Sequence, residues 1–190
     1  MTTVAENAVL GLLAAGELSG YDVHRRAQRS TAMILAPTKS RIYAVLPRLV
    51  DAGLVTPRRV RQPTRPDKTM YRLTARGRGA LQAWLNDVPP TITRQELALK
   101  MLFGARADPA RLLAQLEMFR MANTAELGVL EGLPRVGEPG SAAAVFEDAI
   151  LDYGLTVDRA LDRWLRRTIS AVAPLAGAVS AGAAPAQRNA

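Results

Sequence analysis

The chain contains no cysteine, and His24 is the only histidine among its 190 residues. The absence of cysteine excludes a disulfide, a thiolate metal site and a thiol nucleophile. One histidine with no acidic pair beside it forms neither a metal cluster nor a hydrolytic triad, so we interpret His24 as a surface or packing residue. Glycine-rich phosphate loops and catalytic pairs are missing as well. We therefore expect a protein that is not an enzyme and has no cofactor.

Sequence signals for a membrane are also lacking. Glu6 and no basic residue precede the first apolar run, which is unlike a secretory signal. The longest stretch of low charge, 169–186, is rich in alanine and contains Pro174 and Pro185. We interpret it as a frayed helix end followed by a tail, not as a membrane span. These features predict a cytoplasmic protein that does not associate with membranes.

The excess positive charge lies in the first half of the chain. Residues 1–90 contain 14 Lys and Arg against 6 Asp and Glu, whereas residues 91–190 contain 11 of each. A basic module joined to a neutral module favours binding to a polyanion together with a separate task. The alternative is that the basic residues only keep the protein in solution.

A short helix with a clear beginning and end is predicted between Thr38 and Gly53. Thr38 is a good N-cap, and Gly53 can adopt the left-handed conformation that ends a helix. The apolar residues recur at spacings of three and four and form one face: Ile42, Val45, Leu46, Leu49 and Val50. Pro47 interrupts the pattern and should bend the helix, because it removes one backbone hydrogen bond.

A basic hairpin is predicted directly after this helix. Two β-compatible runs, 55–60 and 70–73, flank turn-forming residues at 63–67. Two further helices precede it, the first ending at Gly16 and the second capped by Ser19, and a fourth helix capped by Thr74 follows it. A helix with a cationic outer face followed by a basic ribbon is typical of a winged helix-turn-helix. In that arrangement the helix fits the major groove, about 12 Å wide, and the ribbon lies against phosphates.

The fold class that we predict is mainly α with a small β-hairpin (α+β). Pro89 and Pro90 mark the domain boundary, because two prolines stop any helix. The predicted parts are a winged helix DNA-binding domain at 1–87, a linker at 88–93, a helical dimerisation domain at 94–171 and a disordered tail at 172–190.

In the second domain one long helix is predicted to open at Asp108-Pro109, with the proline at its first position. The last long helix is predicted to open at Ser141 and to carry a near-heptad row of apolar residues. We call this row the seam: Phe146, Ile150, Tyr153, Val157, Leu161 and Trp164. A hairpin of two amphipathic helices cannot cover both of its faces by itself. The seam therefore predicts a symmetric dimer, in which a second copy covers it. The alternative is a core that is private to one chain.

Candidate residues for DNA contacts lie in three places. In the predicted recognition helix they are Thr38, Lys39, Ser40, Arg41, Tyr43 and Arg48. In the hairpin the candidates for phosphate contacts are Arg59, Arg61, Arg65 and Lys68. At the start of the second helix they are Ser19 and Tyr21. Alternatives are a plain cap for Ser19, a core position for the Tyr43 ring and simple solvation for Arg48 and the hairpin residues.

Three groups of residues occur in an order that is specific, although no single group is. They are Leu10-Gly11-Leu12-Leu13 with Leu18-Ser19-Gly20-Tyr21-Asp22, then Ile42-Tyr43 with Gly53-Leu54-Val55, and finally Tyr71-Arg72-Leu73-Thr74 with Gly77, Leu81 and Trp84. In these residues the chain resembles the PadR family of bacterial transcriptional regulators, over about residues 5–170. It differs from the family pattern at Ala44, where proline is common, and at Pro47, where a basic or polar residue is common. Met33-Ile34-Leu35 stands where the family usually has a tryptophan.

The resemblance implies a homodimeric repressor that binds double-stranded operator DNA and dimerises through its C-terminal helices. It also implies an effector, bound between the domains or at the dimer interface, and the family's effectors range from phenolic acids to flat aromatic compounds. Trp164, on the seam, is the candidate effector contact. The alternative function is a winged-helix module that holds a protein partner and has no operator.

Overall fold

A computed structural model of the chain describes residues 2–31, 34, 37–62, 67–134, 138 and 140–182. By their contacts the residues form two compact units. The N-terminal unit comprises Met1–Asp87 and Ile92–Asp108, and the C-terminal unit comprises Val88–Thr91 and Pro109–Ala190. Residues 94–108, which the sequence analysis assigned to the dimerisation domain, thus group with the N-terminal unit.

The N-terminal unit begins its helices at hydroxyl caps. Its helices are α1 (Val4–Leu13), α2 (Gly20–Ser30), α3 (Lys39–Asp51), α4 (Ala75–Asn86) and α5 (Arg94–Leu102). Each is preceded by a Ser or Thr whose side chain accepts the amide three residues on: Thr3, Ser19, Thr38, Thr74 and Thr93. The predicted caps Ser19, Thr38 and Thr74 are confirmed. The Thr3 cap was not predicted, although Glu6 completes a capping box with it.

Three antiparallel strands form a small sheet in the order β1-β3-β2. The strands are β1 (Leu18–Ser19), β2 (Val55–Val60) and β3 (Lys68–Leu73). The predicted hairpin is confirmed, but β3 begins at Lys68 and not at Met70, because Lys68 pairs with Val60. Strand β1 was missed, since a strand of two residues has no periodicity to detect. The residues 63–66 at the hairpin tip lie outside the described residues.

The core of this unit lies under α3. Four of the five predicted apolar residues of that helix are buried, namely Ile42, Val45, Leu46 and Leu49. Helix α3 continues through Pro47 to Asp51. Gly53 then has a φ of 67°, which confirms the predicted left-handed cap. Helix α3 is therefore held in the core by one face along its whole length.

Two contacts attach the C-terminal end of helix α5 to the rest of the unit. The ring of Phe103, just after α5, lies so close to Gly11 of α1 that a methyl group at that position would overlap it. The buried Lys100 Nζ donates a hydrogen bond of 2.7 Å to the carbonyl of Asp87, at the end of α4. Burial lowers the pKa of Lys100. These contacts explain why α5 belongs to the N-terminal unit despite the prolines that precede it.

The C-terminal unit is a hairpin of two long helices, α6 (Pro109–Glu131) and α7 (Ala142–Gly182). Both predicted starts, Asp108-Pro109 and Ser141, are confirmed. Asn123 donates to the carbonyl of Asp158 at 3.1 Å, and Arg159 pairs with Glu131 at 2.8 Å. In the described part of the chain, no helix is both long and apolar enough to cross a membrane.

Helix α7 continues to Gly182, where the sequence analysis expected a disordered tail from residue 172. Val172 and Ala176 are buried and lie one turn apart, so this last part of the helix has a packed side. Pro174 lies inside the helix and does not end it. The prediction was wrong for 172–182, and residues 183–190 lie outside the described residues.

Candidate nucleic-acid interface

Helix α3 presents three different exposed surfaces. At about 100° per residue, the surface opposite its buried residues consists of Ser40, Ala44 and Pro47, with Asp51 at the far end. We call Ser40, Ala44 and Pro47 the outward stripe. All three residues are exposed. Cationic residues therefore do not occupy the middle of the exposed face but its two edges.

One edge carries Lys39 and Tyr43. The Lys39 Nζ lies 5.9 Å from the centre of the Tyr43 ring, within the range of a cation–π contact. The ring packs against the backbone of Gly20 at the start of α2, where a Cβ atom would come within 3.2 Å of it. Tyr43 is still 47% exposed, so it is neither a core residue nor fully solvated. Both remain candidates for DNA contact.

The other edge carries Arg41 and Arg48. Both are exposed and lie on the same side of α3, two turns apart. Arg41 lines a shallow pocket with Thr38 and the first turn of α1. Arg48 lines a groove with Arg76 of α4. The predicted recognition-helix residues are thus brought to one exposed surface, but on opposite sides of the outward stripe.

The start of α2 places its two candidates differently. Ser19 is buried, and its Oγ donates to Asp22 Oδ2 at 2.7 Å while accepting the Asp22 amide at 3.2 Å. Ser19 is therefore a helix cap, one of the two roles that the sequence left open. Tyr21 is exposed and has the access that a phosphate contact needs.

The wing, which is β2, β3 and the tip between them, separates its candidate residues. Directly opposite residues of an antiparallel pair share a face, so Arg59 lies with Thr69 and Lys68 lies with Val60 on the other face. Arg59 also donates to Asp67 at 3.0 Å. Arg61 is exposed just beyond β2. Arg65 lies outside the described residues, and the structure does not bring Arg59 and Lys68 to one surface.

An ion pair on the wing was not predicted. Arg58 donates through Nε and Nη2 to the two carboxylate oxygens of Glu17, at 3.0 and 2.7 Å. The hydrogen bond from Arg58 lowers the pKa of the Glu17 carboxyl, and the charge of Arg72 adds to the effect. Glu17 and Arg58 are 41 residues apart, and no local pattern indicates such a pair.

A second contact missed by the sequence analysis lies in front of α3. Gln95, in the first turn of α5, donates from Nε2 to the carbonyl of Ile34 at 2.8 Å. Ile34 belongs to the turn between α2 and α3. Gln95 also lines the pocket that contains Thr38 and Arg41. Helix α5, which lies beyond the predicted linker, therefore contacts the turn that leads into α3.

The seam of α7 is partly uncovered in the single chain. Phe146, Ile150 and Tyr153 are 75%, 67% and 65% exposed. Its other members, Val157, Leu161 and Trp164, are half-buried. Removing a row of exposed apolar side chains from water lowers the free energy. The seam is therefore a surface suited to contact with another apolar surface.

The chemistry of α3 and the wing is that of a surface for a polyanion. Cations on both edges of the outward stripe can reach phosphates on both sides of a groove. Among the described residues, no three His, Cys, Asp or Glu side chains converge as a metal site would require.

Two family models match the chain. The model described as the transcriptional regulator PadR-like family matches residues 9–83, which include α3 and the wing. The model described as the virulence activator alpha C-term matches residues 93–173, which include most of α6 and α7.

Two curated relatives match over most of the chain. The negative transcriptional regulator PadR of Bacillus subtilis is 33% identical over 167 residues, which cover 84% of this chain and 89% of the relative. A probable transcriptional regulator of Mycobacterium tuberculosis is 25% identical over 182 residues, which cover 87% and 96%. Among solved structures, Bacillus subtilis PadR in complex with operator DNA is 28% identical, with 90% of this chain and 99% of that chain covered and a TM-score of 0.43.

Proposed function

The chain belongs to the PadR-like family of transcriptional regulators, and from this premise we propose that it is a ligand-responsive repressor that binds operator DNA as a homodimer. The observation that carries the proposal is the exposed side of α3. Its first turns present Lys39 and Arg41 to solvent, while Ile42 and Leu46 fix the opposite face in the core. A helix that is rigid on one face and cationic at its exposed edges suits the major groove.

Repression is the proposed direction of regulation. The Bacillus subtilis relative, which is 33% identical, is named a negative transcriptional regulator. Because the proposed ligand is chromosomal DNA, the proposed site of action is the cytoplasm. A small aromatic effector is proposed as the signal, with Trp164 as its candidate contact in the C-terminal unit.

The homodimer is supported by the seam. Phe146, Ile150 and Tyr153 are exposed in one chain, and a second copy of α7 would cover them. A symmetric pair would carry two copies of α3, which would read half-sites about one helical turn apart. The proposed domain roles follow, with the N-terminal unit binding DNA and the C-terminal helices dimerising.

The proposal is tested by titrating the purified chain with a duplex that carries the region upstream of its own reading frame. A scrambled duplex of the same composition is the control. We expect tighter binding to the first duplex and a steep loss of affinity for both as salt rises, because phosphate contacts release counterions. Equal binding to the two duplexes, unaffected by salt, would contradict the proposal.

Two variants refine that titration. Arg41→Ala and Arg61→Ala should each weaken binding to both duplexes and lower the salt slope by about one, because each removes one phosphate contact. Arg163→Ala, at an exposed position of α7, is the matched control and should bind as wild type does. If Arg41→Ala also behaves as wild type, the assignment of this edge of α3 to DNA is wrong.

A further inference from the structure

We propose that the outward stripe of α3 reads thymine, through contacts between the side chains of Ala44 and Pro47 and the C5-methyl groups of thymines in the major groove. The inference rests on the proposed function, since it concerns how the same helix selects its operator. It assigns sequence selection to the small residues of the helix and not to its cations.

The first argument is position. Ile42, Val45, Leu46 and Leu49 are buried, and this fixes which side of α3 is turned away from the protein. Ala44 and Pro47 lie opposite that side and are exposed. From Ser40 to Pro47 the helix rises about 10 Å, at about 1.5 Å per residue. With about 3.4 Å between base pairs, the outward stripe spans roughly three of them.

The second argument is chemistry. Ala44 and Pro47 present carbon and hydrogen alone, so they can neither donate to nor accept from a base edge. In the major groove the distinctive apolar group of the four bases is the thymine methyl. Ser40 adds a hydroxyl, whose Oγ lies 3.2 Å from the Thr38 Oγ1 and which suits several bases. The two apolar residues are therefore the members of the outward stripe that favour one base.

The third argument is that Pro47 is unfavourable for the fold. A proline inside a helix removes one backbone hydrogen bond and crowds the preceding turn. Pro47 is exposed, so no core packing offsets this cost within the chain. Residues that break a local folding rule without such a gain are expected at functional sites. A rigid ring against a thymine methyl would supply the gain.

The charged residues of α3 agree with this assignment. Lys39 lies on one side of the outward stripe and Arg41 and Arg48 lie on the other, which places them towards the two phosphate backbones that border the groove. Asp51, at the far end, would repel phosphate. Reading is therefore confined to the first three turns of α3.

The test uses a duplex selected by the full-length protein from a random-sequence library. Each thymine is replaced in turn by deoxyuridine, which removes the C5-methyl group and keeps the base-pairing edge. We expect affinity to fall about three- to five-fold at one to three neighbouring thymines in each half-site, because each loses the burial of one methyl group. Deoxyuridine elsewhere should have no effect.

Two variants connect the methyl groups to the protein. Ala44→Gly should abolish the deoxyuridine effect at one of the sensitive thymines, and Pro47→Ala, which shortens the ring to a methyl group, should reduce it at another. Each variant should preserve the effect at the remaining thymines. Ala83→Gly, at an exposed alanine of α4, is the control for the loss of helix propensity and should preserve every effect. Pro47→Ala restores the helix hydrogen bond, so it remains informative if Ala44→Gly folds poorly.

The outcomes separate the two proposals. Specific binding that tolerates deoxyuridine at every position would overturn this inference and leave the proposed function intact. Sensitive thymines that respond in the same way in wild type and in both variants would overturn it as well. Failure to select any duplex over random DNA would instead overturn the proposed function.

Discussion

The two compact units hide their apolar residues to different degrees. In the N-terminal unit a continuous cluster from α1, α3 and α4 is buried, and Leu10, Ile42 and Leu85 have no exposed surface. In the C-terminal unit two long helices pack on each other, yet Phe146 and Ile150 remain largely exposed. The N-terminal unit has the core of a self-contained domain, whereas the C-terminal unit has the surface of half an interface.

This difference shows which contacts stabilise each unit. In the N-terminal unit several short helices and strands pack around one core. Because this core is closely packed, one added or removed atom disturbs many contacts. The C-terminal unit is a single hairpin. The free-energy cost of its exposed apolar area is removed only when another surface covers that area. Changes inside the first unit should therefore act on folding, and changes on the seam should act on assembly.

The largest effect is expected from Gly77→Ala in α4. A methyl group at Gly77 would overlap the carbonyl oxygen of Leu54, which is backbone and cannot rotate away. We expect the free energy of unfolding to fall by about 2–3 kcal/mol, the upper part of the usual range for overpacking. Gly79→Ala is the matched control, because nothing lies within 4 Å of its added methyl. It should stabilise the unit by about 0.5–1 kcal/mol.

The measurement uses the distribution of tryptophan. Trp84 lies in the N-terminal unit and Trp164 in the C-terminal unit. In a Trp164→Phe background, urea unfolding followed by fluorescence reports on the N-terminal unit alone. A Gly77→Ala variant as stable as Gly79→Ala would show that α4 is not held as closely against Leu54 as the structure indicates.

The next effect is expected from Ile150→Asp on the seam. Because Ile150 is exposed in the single chain, the variant should fold as wild type does, within about 0.5 kcal/mol. In a dimer the new carboxylate would be desolvated, so the association constant for dimerisation should fall by about 10- to 100-fold. This corresponds to a loss of about 1.4–2.8 kcal/mol of binding free energy. Sedimentation equilibrium measures both the constant and the mass.

Ser170→Asp is the control for the added charge. Ser170 is exposed on α7 but lies away from the seam by the helical period. It should leave the dimerisation constant unchanged. If both variants dimerise like wild type, the seam is not the interface. If both fail, charge and not position determines the result.

The elements that sequence predicted well are those specified by neighbouring residues. The caps of α2, α3 and α4 and the left-handed Gly53 depend on contacts within a few residues, and the structure has all of them. The buried face of α3 was also predicted correctly, because its period repeats over three turns. The family followed from motifs of the same local kind, such as Leu18 to Asp22.

The contacts that sequence missed join distant segments. Glu17 and Arg58, and likewise Gln95 and Ile34, meet only because the fold brings together residues 41 and 61 positions apart. The wing shows a related failure. Its basic residues look like one group in sequence, whereas strand alternation turns Arg59 and Lys68 to opposite faces.

A moderate effect is expected from Gln95→Ala. This variant tests whether α5 helps to position α3 for DNA binding. Without the Gln95 side chain the Ile34 carbonyl loses its hydrogen bond, worth about 0.5–1.5 kcal/mol. The turn before α3 should then be less well positioned, and affinity for a selected duplex should fall about two- to ten-fold. Affinity for random DNA should stay constant, since it depends on phosphate contacts.

Two further variants define the role of Gln95. Gln95→Glu keeps the size of the side chain but replaces the donor with a carboxylate, so it should lose at least as much affinity as Gln95→Ala. Gln82→Ala, at an exposed position of α4, should bind as wild type does. Equal loss on selected and random DNA would mean that Gln95 supports folding and does not position α3.

The smallest effect is expected from the ion pair at the exposed edge of the N-terminal unit. Arg58 lowers the pKa of Glu17 below its ordinary value of 4.5 in the folded protein. The stabilisation that this gives is present above the unfolded pKa and is lost as the pH falls through the lowered folded value. Because exposed ion pairs contribute little, Glu17→Gln should lower the melting temperature only slightly at pH 7. Between pH 5 and pH 3, wild type should lose slightly more of its melting temperature than the variant does. Parallel melting curves over that range would show that the pair adds nothing to folding, as holds for many exposed ion pairs.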